Sequence, residues 1–392
     1  MSAAAGYVDV SSNGSFVIST LPFTPQAVFF WGVVQGTSSF HDVSMSLAHG
    51  FATPGFQGCQ IVSSDSIVGL NDPGSGFFSG SVLMGNLSGT PSAAPNRITI
   101  TTWDTCGWTL SGSADAGAWR GYYLALAGAT LKVATGSLVI KASGAPTTVS
   151  GLTFKPQLVR LIGSLNIDAG DSFYAVGSAW DDGVAITQRS VRLDVPYVTS
   201  GFGAVGTTEP AHILTHPGPV RDTLNSMNAD GFTVTPSTTS TGDRTVGYFA
   251  LADAGGNIKT DSVPWSAATV STGFLPDFVL VDSAISGEET NGGQLTHGGA
   301  TNDVQAATLG GFSGGASSRR WGAQSTTDTL IDYNSAGTKT GNATIGSFTS
   351  TGFSIGGSSS GFGGAIQYIA IRTSAASSSP CTGATGQIIR YR

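Results

Sequence analysis

Apolar residues along this chain come in short runs that follow a proline and stop at glycine, serine or asparagine. Three of the runs open on one phrase: FTPQAVFF (Phe23 to Phe30), FKPQLVRL (Phe154 to Leu161) and FLPDFVLV (Phe274 to Val281). A proline just ahead of a strand removes an N–H that no ladder bond uses, so each phrase predicts a strand entry. Later runs read YLALA (Tyr123 to Ala127), YFALA (Tyr248 to Ala252) and YIAIR (Tyr368 to Arg372). Their period of two predicts strands with one strongly apolar face, carried by Leu124 and Leu126, Phe249 and Leu251, and Ile369 and Ile371. The tyrosine and alanine face is expected to be smaller, packed or half-exposed. No convincing 3.6-residue period on charged positions predicts a helix.

Two more landmarks recur in the same order. A small glycine-containing segment appears as SLAHGFATPG, AVGSAWDDGV and QLTHGGATND, and a glycine-aromatic step as CGWTL, DGFTV and TGFSI. From the opening proline to the closing tyrosine the separations are 98 (Pro25 to Tyr123), 92 (Pro156 to Tyr248) and 92 (Pro276 to Tyr368). Such self-similarity is the mark of a repeated unit. Short strands divided by turn residues fit an antiparallel sandwich. The expected architecture is therefore all-β: three tandem antiparallel β-sandwich, jelly-roll-like domains at 12–130, 131–257 and 258–374. An N-terminal arm is expected over 1–11 and a low-complexity linker with a C-terminal arm over 375–392.

Composition changes the picture at the surface. Charged residues are only 10% of the 392, against roughly 25% in an average soluble protein, while glycines number 56. The net charge of −7, thinly spread, excludes a dense basic groove, so no nucleic-acid partner is expected. No apolar run approaches the ~18 residues of a membrane span, and the opening MSAAAGYVDVSSNGSF predicts no signal peptide.

The ordered landmarks, F-x-P-x-x-V, a small glycine segment, Gly-aromatic and Tyr-φ-Ala-φ, resemble repeat modules of tailed-bacteriophage structural proteins, described as minor tail, tail-fibre or head-decorating components. The likeness spans roughly residues 15 to 374, with Trp108 replacing Phe in the first unit and Arg372 a small residue in the last. It implies a non-enzymatic virion protein, assembled in the host cytoplasm, whose partners are major capsid or tail proteins. A homo-oligomer, a trimer among the options, is expected. The resemblance carries no catalytic set, no metal and no cofactor.

The residues agree on the absence of an expected enzyme. Asp181 and Asp182 are adjacent, so on a strand they would face opposite ways and cannot flank a sugar; a turn before Gly183 fits them better. His212 and His216 have i to i+4 spacing, which converges only on a helix, and Pro217-Gly218 predicts a loop. His49 and His297 fall at matching places, with Ser178 as the middle unit's counterpart, and read as rings hydrogen-bonded at strand ends. Trp31, Trp108 and Trp119 offer aromatic surface, and the first two sit in repeated strand motifs as core. Trp180 and Trp321, in AWDDG and RRWGA, read as loop aromatics able to contact a host glycan or a partner. That is the basis of an alternative, an adhesin; a tailspike glycan hydrolase is a distant third.

Cys59, Cys106 and Cys381 do not make a disulfide framework. They read as small buried or half-buried thiols, with Cys59 and Cys106 near enough in sequence to be neighbours. After the linker, Ile388, Ile389, Arg390, Tyr391 and Arg392 read either as a frayed end or as an arm docking on another subunit by strand addition.

Overall fold

In the computed structural model the described residues are 3–33, 40–41, 44–65, 74–85, 96–114, 119–166, 172–195, 204–207, 212–215, 219–236, 242–264, 269–286, 293–313, 319–334, 336–359, 365–374 and 381. Among them every regular element is a strand. The strands form three pairs of antiparallel sheets with one spatial order. In the first pair the larger sheet runs Ala3–Val10, Trp119–Leu126, Ala27–Val33, Ser44–Thr53, Phe56–Asp65 and Gly74–Ser79. The smaller runs Gly14–Ile18, Gly107–Ala114, Asn96–Asp104 and Leu83–Gly85. The second larger sheet begins with Leu131–Ile140 and Arg244–Asp253, the third with Asn257–Pro264 and Ala365–Arg372. First strand beside last and second beside penultimate is a jelly-roll trait; the strands between run as a meander.

Residues Ala3–Val10 are therefore no arm. They pair along their whole length with Trp119–Leu126, as Leu131–Ile140 and Asn257–Pro264 pair with the corresponding strands of their units. Among the described residues the first sandwich already includes Ala3–Val10, because Tyr7, Val8 and Val10 bury apolar side chains there.

The repeated glycines have a steric cause. A Cβ on Gly107, Gly231 or Gly352 would lie 1.5, 1.9 or 1.9 Å from the carbonyl oxygen of Ile18, Val149 or Val270 on the neighbouring strand. Only glycine lets the backbones approach so closely, and the aromatic that follows enters the sandwich interior. Between the two sheets a second device recurs. Gln57 clasps the N–H and C=O of Ile100, Gln188 those of Leu224 and Gln305 those of Ile345. Each clasp falls at or beside an irregularity in the smaller sheet's pairing, where the ladder leaves backbone groups short of partners.

Each sandwich has its own core, and a further core is shared. Tyr123 and Ala125, Tyr248 and Ala250, and Tyr368 and Ala370 face the sandwich interiors. The strongly apolar partners Leu124, Leu126, Phe249, Leu251, Ile369 and Ile371 instead face outward from their own sandwich and meet in one common cluster. Along these strands both faces of the larger sheets are thus buried. The Tyr-Ala face is small because it packs against a second sheet, and the leucine face is large because it fills the space between units.

Contacts pass around the three units in a ring. Phe249 packs on Phe29 and Phe51, with ring centroids 4.3 and 6.1 Å apart, and Gln60 donates to the carbonyl of Gly163. Arg189 bonds Asp261 at 2.6 Å and Ser262 at 3.1 Å. Tyr122 reaches Gln324 at 3.5 Å, and Phe40–His41 of the first unit adds to the edge of the third unit's larger sheet at Gly322 and Ala323. The joints converge too: Asp253 accepts from Thr130 and from the Ser374 N–H, and Ser374 Oγ accepts from the Thr130 N–H at 3.0 Å. A heterologous contact that closes after three copies is the geometry of a cyclic trimer, here within one chain.

The cysteines depart from expectation. Cys106 and Cys381 form a disulfide across 275 residues of sequence, and Cys59 is free and buried. Their pairing depends on the third unit returning to the first, which residue spacing does not encode. Burial also pushes the Cys59 thiol well up. A thiol-reactive chromophore is therefore expected to find no reactive cysteine in the folded chain, one after denaturation without reductant, and three after reduction. Three reactive thiols without reductant would contradict the pairing.

Candidate functional site: a buried ionic cluster where the three sheets meet

The densest chemistry lies in the shared core. Arg160 and Ser178 stand opposite one another on Leu158–Asn166 and Ser172–Asp181. Asp282 and His297 stand opposite on Phe278–Ser286 and Gly293–Thr301, and His49 stands opposite Trp31 in the first unit. In each case strand alternation turns the pair away from its own smaller sheet, toward the neighbouring units. Arg160 grips both oxygens of Asp282, Nη1 at 2.9 Å and Nη2 at 3.1 Å, and Nη1 also reaches Ser178 Oγ at 3.1 Å. His297 Nδ1 lies 2.6 Å from the same carboxylate. The rings of His49 and His297 meet edge to face with centroids 5.2 Å apart, and Tyr174 lies 5.5 Å from His297.

The cluster is dry by position: Arg160, His49 and His297 are each 1% exposed. Burial by itself raises a carboxyl, but the Arg160 charge and the His297 bond override it and hold Asp282 well below the usual carboxylate range. Burial, reinforced by Arg160 and His297 and opposed by Asp282, pushes His49 well below the ordinary imidazole value. His49 is accordingly neutral. Burial, then the Asp282 charge, drives the Tyr174 hydroxyl up.

A lowered folded-state value has a definite sign in the pH dependence. Below about pH 6.5 the unfolded chain takes up a proton on His49 that the folded chain refuses. The stability present above that pH is lost as the pH falls, at ~1.4 kcal/mol per unit for one group. Denaturant midpoints between pH 7.5 and 5 should show this slope and a flatter profile for His49→Val. Equal slopes in the two proteins would contradict the assignment.

Ladder pairing corrects the expected equivalence of the histidines. Gly50, Gly177 and Gly298 pair with Phe30, Leu161 and Val281, so the residue matching His49 and His297 is Val176. Ser178 matches Phe51 and Gly299. Nor do the two rings sit at strand ends; each lies mid-strand in the interior. By the same register Arg160 matches Phe29 and Leu280, and Asp282 matches Trp31 and Ile162. Arg160 and Asp282 thus stand at places that are apolar in both other units, while the two histidines share a place that the second unit fills with Val176.

Other candidates fall elsewhere. Trp180 lies within Ser172–Asp181 and packs half-buried on the shared core, because strand alternation carries it to the same face as Ser178. Trp321 lies in the strand Arg319–Ser325, opposite Gly311, rather than in a loop. Asp181 and Asp182 do form a turn: their carboxylates accept from the N–H groups of Gly183, Val184 and Ala185, each at 2.8 Å, and Gly183 has φ +89°. His212 is in the strand His212–Thr215, where a ladder replaces the expected loop. His216 and the arm Ile388, Ile389, Arg390, Tyr391 and Arg392 lie outside the described residues. Sequence reasoning passed over Arg160 and Asp282, though a charge inside VRLIG and another closing VLVD was the available signal.

As chemistry, a cluster whose ion-paired side chains are at most 8% exposed presents nothing to a dissolved substrate. It links all three units, with Arg160 from the second, Asp282 and His297 from the third and His49 from the first. Any slipped packing of the sheets would strand a buried charge, which penalises other ways of closing the ring.

No family model and no curated protein matches this chain. Among solved structures, the crystal structure of kievitone hydratase from Nectria haematococca is similar over 78% of this chain and 90% of that chain, at 8% identity and a TM-score of 0.18. A likeness of that size carries no argument about fold or activity.

Proposed function

We propose that this chain is a non-enzymatic structural protein of a tailed-bacteriophage particle, decorating or reinforcing the head or forming part of the tail apparatus. The observation that carries the reading is the ring: three sandwiches with one strand order close on a common core within a single chain. Such a body has the outline of a trimer of single domains and suits a site of local threefold symmetry. The sparsely charged, glycine-rich composition supports it as well. Because the ring faces are already buried, contacts with capsid or tail proteins, or with further copies, would use the smaller sheets and the loops. The adhesin alternative loses support at Trp180, which packs on the core rather than standing free to stack on a sugar.

Purified particles of the phage encoding this chain should contain it at a fixed stoichiometric copy number by quantitative mass spectrometry. Its absence from washed particles, with the protein recovered only from the lysate, would overturn the proposal.

A further inference from the structure

We infer that the paired imidazoles of His49 and His297 bind a transition-metal ion of the zinc, cobalt and copper class, which staples the first unit to the third. The ligand atoms of His49, His297 and Asp282 all lie within 4.8 Å of one another. Both ring nitrogens of His49 and the Nε2 of His297 are buried without a hydrogen-bond partner. Leaving three such atoms unsatisfied is costly, and native interiors rarely do so. A ligand that accepts lone pairs satisfies two of them at once.

The surroundings are those of a metal-binding histidine. A ligating imidazole commonly gives its other ring N–H to a carboxylate, which fixes the tautomer and aims the free nitrogen. His297 has this arrangement, with Nδ1 on Asp282 and Nε2 open. Asp282 is in turn held by Arg160 through both oxygens, so it orients His297 while the two histidines supply the donor atoms. The Arg160 charge is offset by that carboxylate, and His49 is neutral and able to donate its lone pair. Imidazole nitrogen favours zinc, cobalt and copper over magnesium or calcium. The ring of Tyr174 lies 5.5 Å from that of His297, and its hydroxyl is also buried without a partner. With this degree of burial the ion would enter as the ring closes, so binding is coupled to folding.

The test is refolding of the full chain from denaturant with Co²⁺ or Zn²⁺, followed by dialysis. One ion per chain is expected to be retained, with visible Co²⁺ bands and a higher melting temperature than after refolding in EDTA. His49→Val, which copies the second unit's Val176, should fold and lose both the bands and the metal-dependent shift. Retention of no metal by the wild-type chain, or equal retention by wild type and His49→Val, overturns the inference. Should His49→Val fail to fold, the wild-type chain decides: retained Co²⁺ with its bands supports the site, and none retained sinks it. Neither outcome depends on whether the protein is a particle component.

Discussion

Arg160→Leu is expected to destabilise the folded chain by about 3–5 kcal/mol, read as a lowered denaturant midpoint at pH 7. The loss comes from what is left behind. Asp282 would be left buried and held only by His297, so it must either stay ionised without the water it gave up or take up a proton at pH 7, and both cost stability. The register between units supplies the control. Leucine is the third unit's residue at the Arg160 position, and Ile162 and Val176 occupy the Asp282 and His297 positions in the second unit. The combined variant Arg160→Leu, Asp282→Ile, His297→Val thus uses side chains this fold already accepts. It is expected to regain most of the loss, because a buried pair replaced whole by apolar groups is often neutral. A cost below about 1 kcal/mol for Arg160→Leu alone would mean that water reaches Asp282 and that the cluster does not penalise other ways of closing the ring.

Gly298→Ala should be about as damaging, at roughly 3 kcal/mol, the upper end of the usual overpacking range. Its Cβ would stand 1.7 Å from the carbonyl oxygen of Thr329, just ahead of the smaller sheet's strand Leu330–Tyr333, and 2.7 Å from that of Ala306. Both obstacles are backbone, so no rotamer relieves them. Gly50 has the same problem with the Val82 carbonyl at 1.9 Å, which is why glycine follows both histidines. Gly14→Ala, in open space on an edge strand, should stay within about 0.5 kcal/mol. Similar midpoints for the two alanine variants would show that the sheets can part at Gly298 without loss.

Much of each sandwich was legible because its determinants are local. The prolines at 25, 156 and 276, the Gly-aromatic steps and the Tyr-Ala alternation mark strands whose partners lie in the same unit. The relation between units was not legible, because periodicity reports that a face is buried without saying against what. Leu124 and Leu126 read as the strongly apolar face of a strand without a stated neighbour, and that face meets the common core while Tyr123 and Ala125 line the sandwich. Arg160 sits between Val159 and Leu161 and alternates with them, which on an isolated sheet would put it in water. The adjoining unit makes that face interior. The same distance in sequence hid the Cys106–Cys381 bond and the meeting of His49 with His297.

The strand edge that Phe40–His41 joins at Gly322 and Ala323 sets a schedule for biosynthesis. The first unit is complete in sequence near Ala127, but the surface carrying Trp31 and His49 meets the third unit only when residues to about 374 have left the ribosome. At ordinary elongation rates of about 5–20 residues per second, that is a wait of roughly 12–50 s. Phe29 and Phe51 are covered once the second unit supplies Phe249, but the part of the face around Trp31 and His49 lies open to other nascent chains until the end. Truncation after the second unit should therefore yield aggregates rather than a smaller soluble protein, and the cell's chaperones would be engaged at mid-chain rather than at release.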